Sequence, residues 1–245
     1  MKEWIYGRNP VYEVLNAGRR HPFVLHVKKG TKVKDRLGDI LQLSKEKDLP
    51  IEWVLQQDLD VINKNHQGVA LQVSGYPYAN LQQILDLADE RGEPPFILIL
   101  DTLQDPQNLA TLIRTAEIVS VHGVLLPLRR TVTITPAVVN ASSGATEHLL
   151  ISQVNLAQAI ERLKKENIWI VGLEGSPEAQ PPEQINLNGA IGLTVGSEGS
   201  GMRKLVRSSC DVLLRLPMKG KVESLNAAIA GSIGLYLAWG ARGYQ

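Results

Sequence analysis

Three stretches carry reactive or hydrogen-bonding groups directly after apolar runs. DTLQDPQNLATLIRT, residues 101–115, follows FILIL; VGSEGSGM, residues 195–202, ends the run AIGLTV; LPMKGKVESLNAAIA, residues 216–230, closes DVLLRL. Loops at the carboxyl ends of strands gather in one place in open α/β sheets, and ligands collect there. The three stretches therefore read as walls of one site.

In the first, Asp105 has the type of a helix cap and Pro106 that of a first helical residue. Arg114 stands among Leu112, Ile113, Ala116 and Ile118, where a guanidinium needs a partner or a polar cleft. Glu117 one turn on is the bland partner, and a site facing Asn108 and Arg114 is the functional one.

In the second stretch, Gly196, Gly199 and Gly201 permit positive φ or close backbone approach. Their spacing matches neither G-x-G-x-x-G nor a P-loop. Glu198 between them repels a phosphate and favours a ligand with donors or positive charge. A glycine turn held by Glu198 for structural reasons is the alternative. In the third stretch, Ala227, Ala228, Ala230, Gly231, Ser232 and Gly234 suit close helix packing, and Ser224 reads either as the helix N-cap or as a catalytic hydroxyl.

The elements that must position these loops follow from patterning. NPVYEVLNAG suggests a helix with Asn9 as cap and Gly18 as stop. FVLHV, a lysine-rich helix over 32–47, IEWV, a short helix over 55–64 and GVALQV suggest a small α/β unit, residues 1–75. Residues 76–93 read as a linker that contains a helix. From Phe96 apolar runs alternate with helical patterns, which predicts a mostly parallel sheet covered on both faces over residues 94–245.

The chain has 245 residues, 44% of them hydrophobic and 21% charged, which excludes a disordered chain. No apolar run reaches a membrane span and MKEWIYGRNP lacks a signal core, so the expected location is the cytoplasm. One cysteine, Cys210, excludes an intrachain disulfide and a cysteine metal cluster; it reads as a small buried apolar residue, and no metal is expected. Net charge is +1, but residues 1–75 hold 12 Lys and Arg against 9 Asp and Glu, so the basic excess lies there.

Taken together, Asp101 with Asp105-Pro106-x-Asn108 and Ile113-Arg114-Thr115-Ala116, then GSEGSG, then LPMKGKVESLNAAIA resemble the three motifs of the SpoU/TrmH family of RNA ribose 2′-O-methyltransferases, in the SPOUT class. YGRNPVYEVL and NHQGVALQV resemble the substrate-binding domain of its ribosomal-RNA members, so the likeness covers the whole chain. The sequence departs from the family at Ala110 and Thr111, where Gly-Ala is usual.

The resemblance implies a small N-terminal α/β substrate-binding domain and a C-terminal SPOUT α/β domain with a deep trefoil knot. It implies S-adenosylmethionine as cofactor, held around Gly196, Leu216, Met218, Gly220 and Leu225, and Arg114, Asn108, Glu198, Ser224 and Asn226 as catalytic groups. It further implies a homodimer whose site forms at the interface. The substrate it points to is large-subunit ribosomal RNA, at a guanosine of the peptidyl-transferase region; the basic residues Arg8, Arg19, Arg20, Lys28, Lys29, Lys32 and Lys34 of the N-terminal domain are the expected phosphate contacts, with a solvated helix face the alternative for Lys32 and Lys34. A transfer-RNA or antibiotic-resistance enzyme of the class, or a non-catalytic ribosome-assembly factor on the same fold, are the alternatives. A nicotinamide oxidoreductase fails on its glycine spacing.

Overall fold

The computed structural model describes residues 2–222 and 224–244. Their contacts divide the chain into two compact units, residues 1–77 with 133–148, and residues 78–132 with 149–245. The first unit thus recruits a segment that the sequence places far from it.

That unit contains β1 (Lys2–Tyr6), α1 (Arg8–Ala17), β2 (Pro22–Lys28), α2 (Arg36–Glu46), β3 (Ile51–Val54), α3 (Gln56–Ile62) and β4 (Val69–Ser74). The sheet order is β1-β4-β2-β3, antiparallel except for the β2–β3 pair. Gly18, at φ 64°, accepts the left-handed conformation that ends α1, as its type predicts. Gly7, rather than Asn9, precedes the helix. The lysine-rich helix begins later than expected, because residues 31–34 are irregular and Asp35 sits at φ 48°, outside helical space. The strand β1 has no counterpart in the sequence reading, since it is short, opens on the charged residues Lys2 and Glu3 and fully buries only Ile5.

Residues 133–148 add α6 (Pro136–Ala141) and a 3₁₀ turn at Ala145–His148 to this unit. Glu147, 1% exposed, accepts from Arg20 Nη2 at 2.9 Å and Nε at 3.0 Å, while Arg20 Nη1 reaches Glu3 at 3.0 Å. Asn140 donates to the Tyr6 carbonyl at 2.9 Å. The buried fork geometry stabilises the pair only while both partners stay.

The second unit contains α4 (Leu81–Arg91), β5 (Phe96–Leu100), α5 (Pro106–Ile118), β6 (Gly123–Pro127), β7 (Ile151–Val154), α7 (Leu156–Lys165), β8 (Trp169–Leu173), β9 (Ile191–Val195), α8 (Lys204–Ser209), β10 (Val212–Leu214) and α9 (Ala227–Ala241). The strands form one parallel sheet ordered β10-β8-β9-β5-β6-β7. The apolar strands are buried throughout, as a sheet covered on both faces requires. Helices α4, α7 and α8 pack through Ile84, Leu163 and Val206 on a face that includes Ile97, Ile99 and Ile170.

On the opposite face, α9 lies against α5 and β9. A Cβ at Gly231 would stand 2.5 Å from Leu112 Cδ2 and 3.1 Å from Val195 Cγ2, and one at Gly234 would stand 3.2 Å from Leu193 Cδ2. The small residues therefore set the depth at which α9 seats. The pair β7 and α7 and the short α8 were absent from the sequence reading. Leu156, Ala159, Ile160 and Leu163 carry the i, i+3, i+4, i+7 stripe of an amphipathic helix, so that signal was present. Cys210 is half-buried, and burial pushes its thiol up to about 11, consistent with an inert filler. Among the described residues no helix is long and apolar enough to cross a membrane.

Glu147→Ala leaves the buried Arg20 with Glu3 as its remaining carboxylate among the described residues. The expected loss is about 3 kcal/mol in denaturant unfolding, and a loss below about 1 kcal/mol would show that the pair does not hold residues 133–148 in the first unit.

Candidate functional site

Each of the three sequence stretches leaves the carboxyl end of a parallel strand. Asp101 follows β5 and is fully buried. It accepts from the Arg203 backbone N–H at 2.7 Å and from Arg203 Nε at 2.8 Å, with Nη2 at 2.7 Å. The guanidinium thus satisfies Oδ1 and the backbone N–H satisfies Oδ2, both from the residue that follows the glycine loop. Asp105 caps α5 through the Gln107 N–H at 2.9 Å, and Pro106 opens the helix, as their types predict.

The glycine loop is a tight reversal. Ser197 and Gly201 exchange backbone hydrogen bonds at 3.0 Å each way, and Gly199 and Gly201 sit at φ 78° and 66°. A Cβ at Gly196 would lie 2.2 Å from the Gly201 carbonyl carbon, so this position accepts only glycine. The reversal holds Glu198 outward at its tip.

Glu198 Oε1 accepts from Asn108 Nδ2 at 2.9 Å and also from Asn226 Nδ2. Asn226 Nδ2 further approaches Asn108 Oδ1 at 3.2 Å. Asn108, 8% exposed, projects from the first turn of α5. Asn226 caps α9 by accepting from the Ala228 and Ile229 N–H groups at 2.9 and 3.1 Å. The cap is therefore Asn226 and not Ser224. Residues 90 and 118 positions apart from Asn108 meet it at one point.

Beside this junction lies a cleft of about 460 Å³. Leu173, Leu214, Leu216, Leu225 and Ala230 supply apolar wall, and Glu174 and Glu198 supply carboxylates. Gly196, Met218 and Ser224 also line it. Such a cleft suits a ligand with an apolar plane and a positive charge. Of the residues expected to hold the cofactor, Gly220 alone is outside the lining, on an exposed turn where an added Cβ would meet nothing within 4 Å.

Arg114 is not among the lining residues and is exposed on α5. Its apolar neighbours Leu112, Ile113 and Ala116 are buried while Arg114 itself is exposed. The sequence premise of an arginine buried in an apolar face is thereby corrected. Helical rotation separates i from i+6, so Arg114 and Asn108 leave α5 in different directions, about 9 Å apart along the axis.

The cations expected to meet RNA divide by exposure. Arg20 is 3% exposed and committed to Glu147 and Glu3, which removes it from any surface contact. Arg19 is half-buried and donates to the Tyr76 hydroxyl at 3.3 Å and the Pro77 carbonyl at 3.2 Å. Arg8 Nε donates to the Gln67 carbonyl at 3.2 Å and Lys28 Nζ to Gln56 at 2.8 Å. Lys29, Lys32 and Lys34 are exposed.

Sequence reasoning missed Arg203 and Glu174. Arg203 directly follows the glycine stretch, and Glu174 follows β8, so the strand-end rule that found Glu198 also reaches them. The 102-residue separation of Arg203 from Asp101 hid their pairing.

Asn226→Ala removes both the α9 cap and the donor to Glu198, and about 1 kcal/mol is expected for the cap alone. Asn226→Asp keeps an acceptor for the cap but sets a second carboxylate against Glu198. Amide exchange at Ala228 and Ile229 should accelerate in the alanine variant and stay near wild type in the aspartate variant. Equal exchange in both would remove Asn226 from the cap role.

Residues 95–236 match the SpoU rRNA methylase family, and residues 4–79 match the RNA 2′-O ribose methyltransferase substrate-binding family. A protein of Bacillus subtilis (strain 168) named as a TrmH family tRNA/rRNA methyltransferase, YacO, is 40% identical over 236 residues, 96% of this chain and 94% of its own. One of the same description from Staphylococcus aureus (strain MSSA476) is 38% identical over 95% of this chain and 93% of its own. The crystal structure of the SpoU methyltransferase AviRb from Streptomyces viridochromogenes, in complex with AdoMet, aligns with a TM-score of 0.82 over 100% of this chain and 92% of that one. At 19% identity that likeness speaks to the fold. Two matched families in chain order, and relatives similar along nearly their whole length, show that the chain belongs to the SpoU/TrmH family of RNA methyltransferases.

Proposed function

We propose that this chain transfers a methyl group from S-adenosylmethionine to a ribose 2′-hydroxyl of RNA, and that the target is a guanosine in the peptidyl-transferase region of bacterial large-subunit ribosomal RNA. The observation that carries this reading is the meeting of Asn108, Glu198 and Asn226 beside a cleft with apolar walls and two carboxylates. When bound, the cofactor supplies a methyl group already activated by its sulfonium charge. Leu173, Leu214, Leu216 and Leu225 offer an apolar slot for its base, and Glu174 and Glu198 offer negative charge near a cation.

A ribose hydroxyl is a weak acid, so the chain must stabilise the alkoxide that develops as its proton leaves. Arg114 is the group for this role. Guanidinium groups keep their proton in proteins, which favours a fixed cation over a general base. Ser224 lines the cleft and offers a hydroxyl to the nucleotide.

Arg114 and Ile118 share one exposed stripe of α5, and α9 beside it exposes Ile229, Ile233 and Tyr236, by 52, 40 and 45%. We take this apolar strip as the interface of a homodimer, in which Arg114 of one subunit reaches the other's cleft. A trefoil knot belongs to the same proposal, with edge strand β10 ending at Leu214 and α9 starting at Ala227 against α5 and β9. Lys29 and Lys32 of the first unit hold RNA phosphates, and a ribosomal-RNA substrate is in keeping with a cytoplasmic location. The relatives' names carry both tRNA and rRNA, which keeps transfer RNA as the second reading of the substrate.

Mapping ribose methylation by mass spectrometry, in rRNA and tRNA from cells with and without the gene, tests the substrate. One guanosine of large-subunit rRNA should lose its 2′-O-methyl group; loss confined to tRNA would move the assignment. Arg114→Ala should abolish methyl transfer while cofactor binding persists. Mixed with a chain impaired in the cleft, it should regain activity that neither has alone, and no regain would place Arg114 on its own subunit's site. Lys29→Glu with Lys32→Glu should weaken RNA binding at least tenfold and leave cofactor affinity unchanged; this is a cleaner test than removing residues 1–75, which would strip Glu147 of Arg20.

A further inference from the structure

The turn after β6 carries Arg129 and Arg130, both exposed, at the carboxyl end of the strand next to β5. No Asp or Glu lies between Glu117 and Glu147 in the sequence, so local acidic residues do not neutralise this pair. Neither guanidinium is held by a carboxylate among the described residues. Two adjacent like charges repel, and the arrangement costs least when an anion lies across them.

The turn is built and not slack. Arg130 adopts φ 60°, a conformation uncommon outside glycine. Thr131 Oγ1 and the Val132 N–H both donate to the Leu103 carbonyl at 2.9 Å. Leu103 lies between Asp101 and Asp105, so the arginine turn is fastened to the loop that presents Asn108. Since β6, β5 and β9 are neighbours in the sheet, the turn stands two strand spacings, about 10 Å, from the end of β9 where the glycine loop begins.

We propose that Arg129 and Arg130 bind backbone phosphates of the RNA strand beside the nucleotide presented to the cleft. The inference rests on the RNA methyl transfer proposed above and adds a second contact on the catalytic unit itself, separate from Lys29 and Lys32. Planar guanidiniums grip phosphate oxygens bidentately, and a contact of this kind positions RNA without reading its bases. The pair thus sets the register of the strand, and base identity is read elsewhere.

The test uses the full chain with Arg129→Gln and Arg130→Gln, transcribed bacterial 23S rRNA, and total tRNA as a second probe. The expected result is an apparent KM for RNA raised at least tenfold, with cofactor affinity unchanged and kcat at saturating RNA within about twofold of wild type. The dependence of log affinity on log salt should flatten by about 1.4, the value for two single-strand phosphates. Arg129→Lys with Arg130→Lys should recover most of the salt slope, because it restores the charges. A variant with unchanged KM and salt slope overturns this inference while methyl transfer by the wild type stands. A wild type that transfers no methyl group to either RNA overturns the proposed function, and this inference with it.

Discussion

The carboxylate of Glu198 is the point on which the site depends, because it accepts amide donors from both other loops, Asn108 from the start of α5 and Asn226 from the start of α9. One exposed carboxylate hydrogen bond contributes little to stability. Here the second tie between the loops is anchored on one side below the surface, where fully buried Asp101 accepts from both the backbone and the side chain of exposed Arg203. The tie between buried Asp101 and exposed Arg203 fixes where the glycine loop leaves the sheet, and the Glu198 junction fixes where its tip ends. Positioning of this kind is what a reaction with an already activated donor most needs.

Charge is sorted around this junction. Glu174 and Glu198 border the cleft, where a cationic ligand gains from them. Arg114, Arg129 and Arg130 are exposed on elements that leave the same edge of the sheet. A net charge of +1 conceals this separation, which is spatial and not compositional. Arg20 shows the reverse case, a cation in the basic N-terminal third that is wholly committed to the fold.

Backbone permissiveness supplies the rest. Gly196 lets the loop close on itself, and Gly231 and Gly234 let α9 sink between Leu112 and Leu193. That depth brings the α9 cap to Glu198. A larger residue at either place would lift one wall of the cleft from the others.

Much of this was legible in the sequence, since local signals reported local causes. Continuous apolar runs announced the central strands, Asp105-Pro106 announced the start of α5, and three polar stretches after strands announced the site. β1 and α8 escaped because one is half-exposed and the other is a six-residue helix with a single buried anchor, Val206. The α7 stripe was present but went unread. Which motif residues touch was decided by tertiary structure alone. Asp101 finds Arg203, and Asn108 finds Asn226, across more than a hundred positions, because a parallel sheet places the ends of distant strands side by side. The same is true of residues 133–148, which group with the first unit through Arg20 and Glu147. The sequence determined which groups exist and which local turns hold them, and the sheet order determined which of them meet, because register between distant strands is a property of the packed whole.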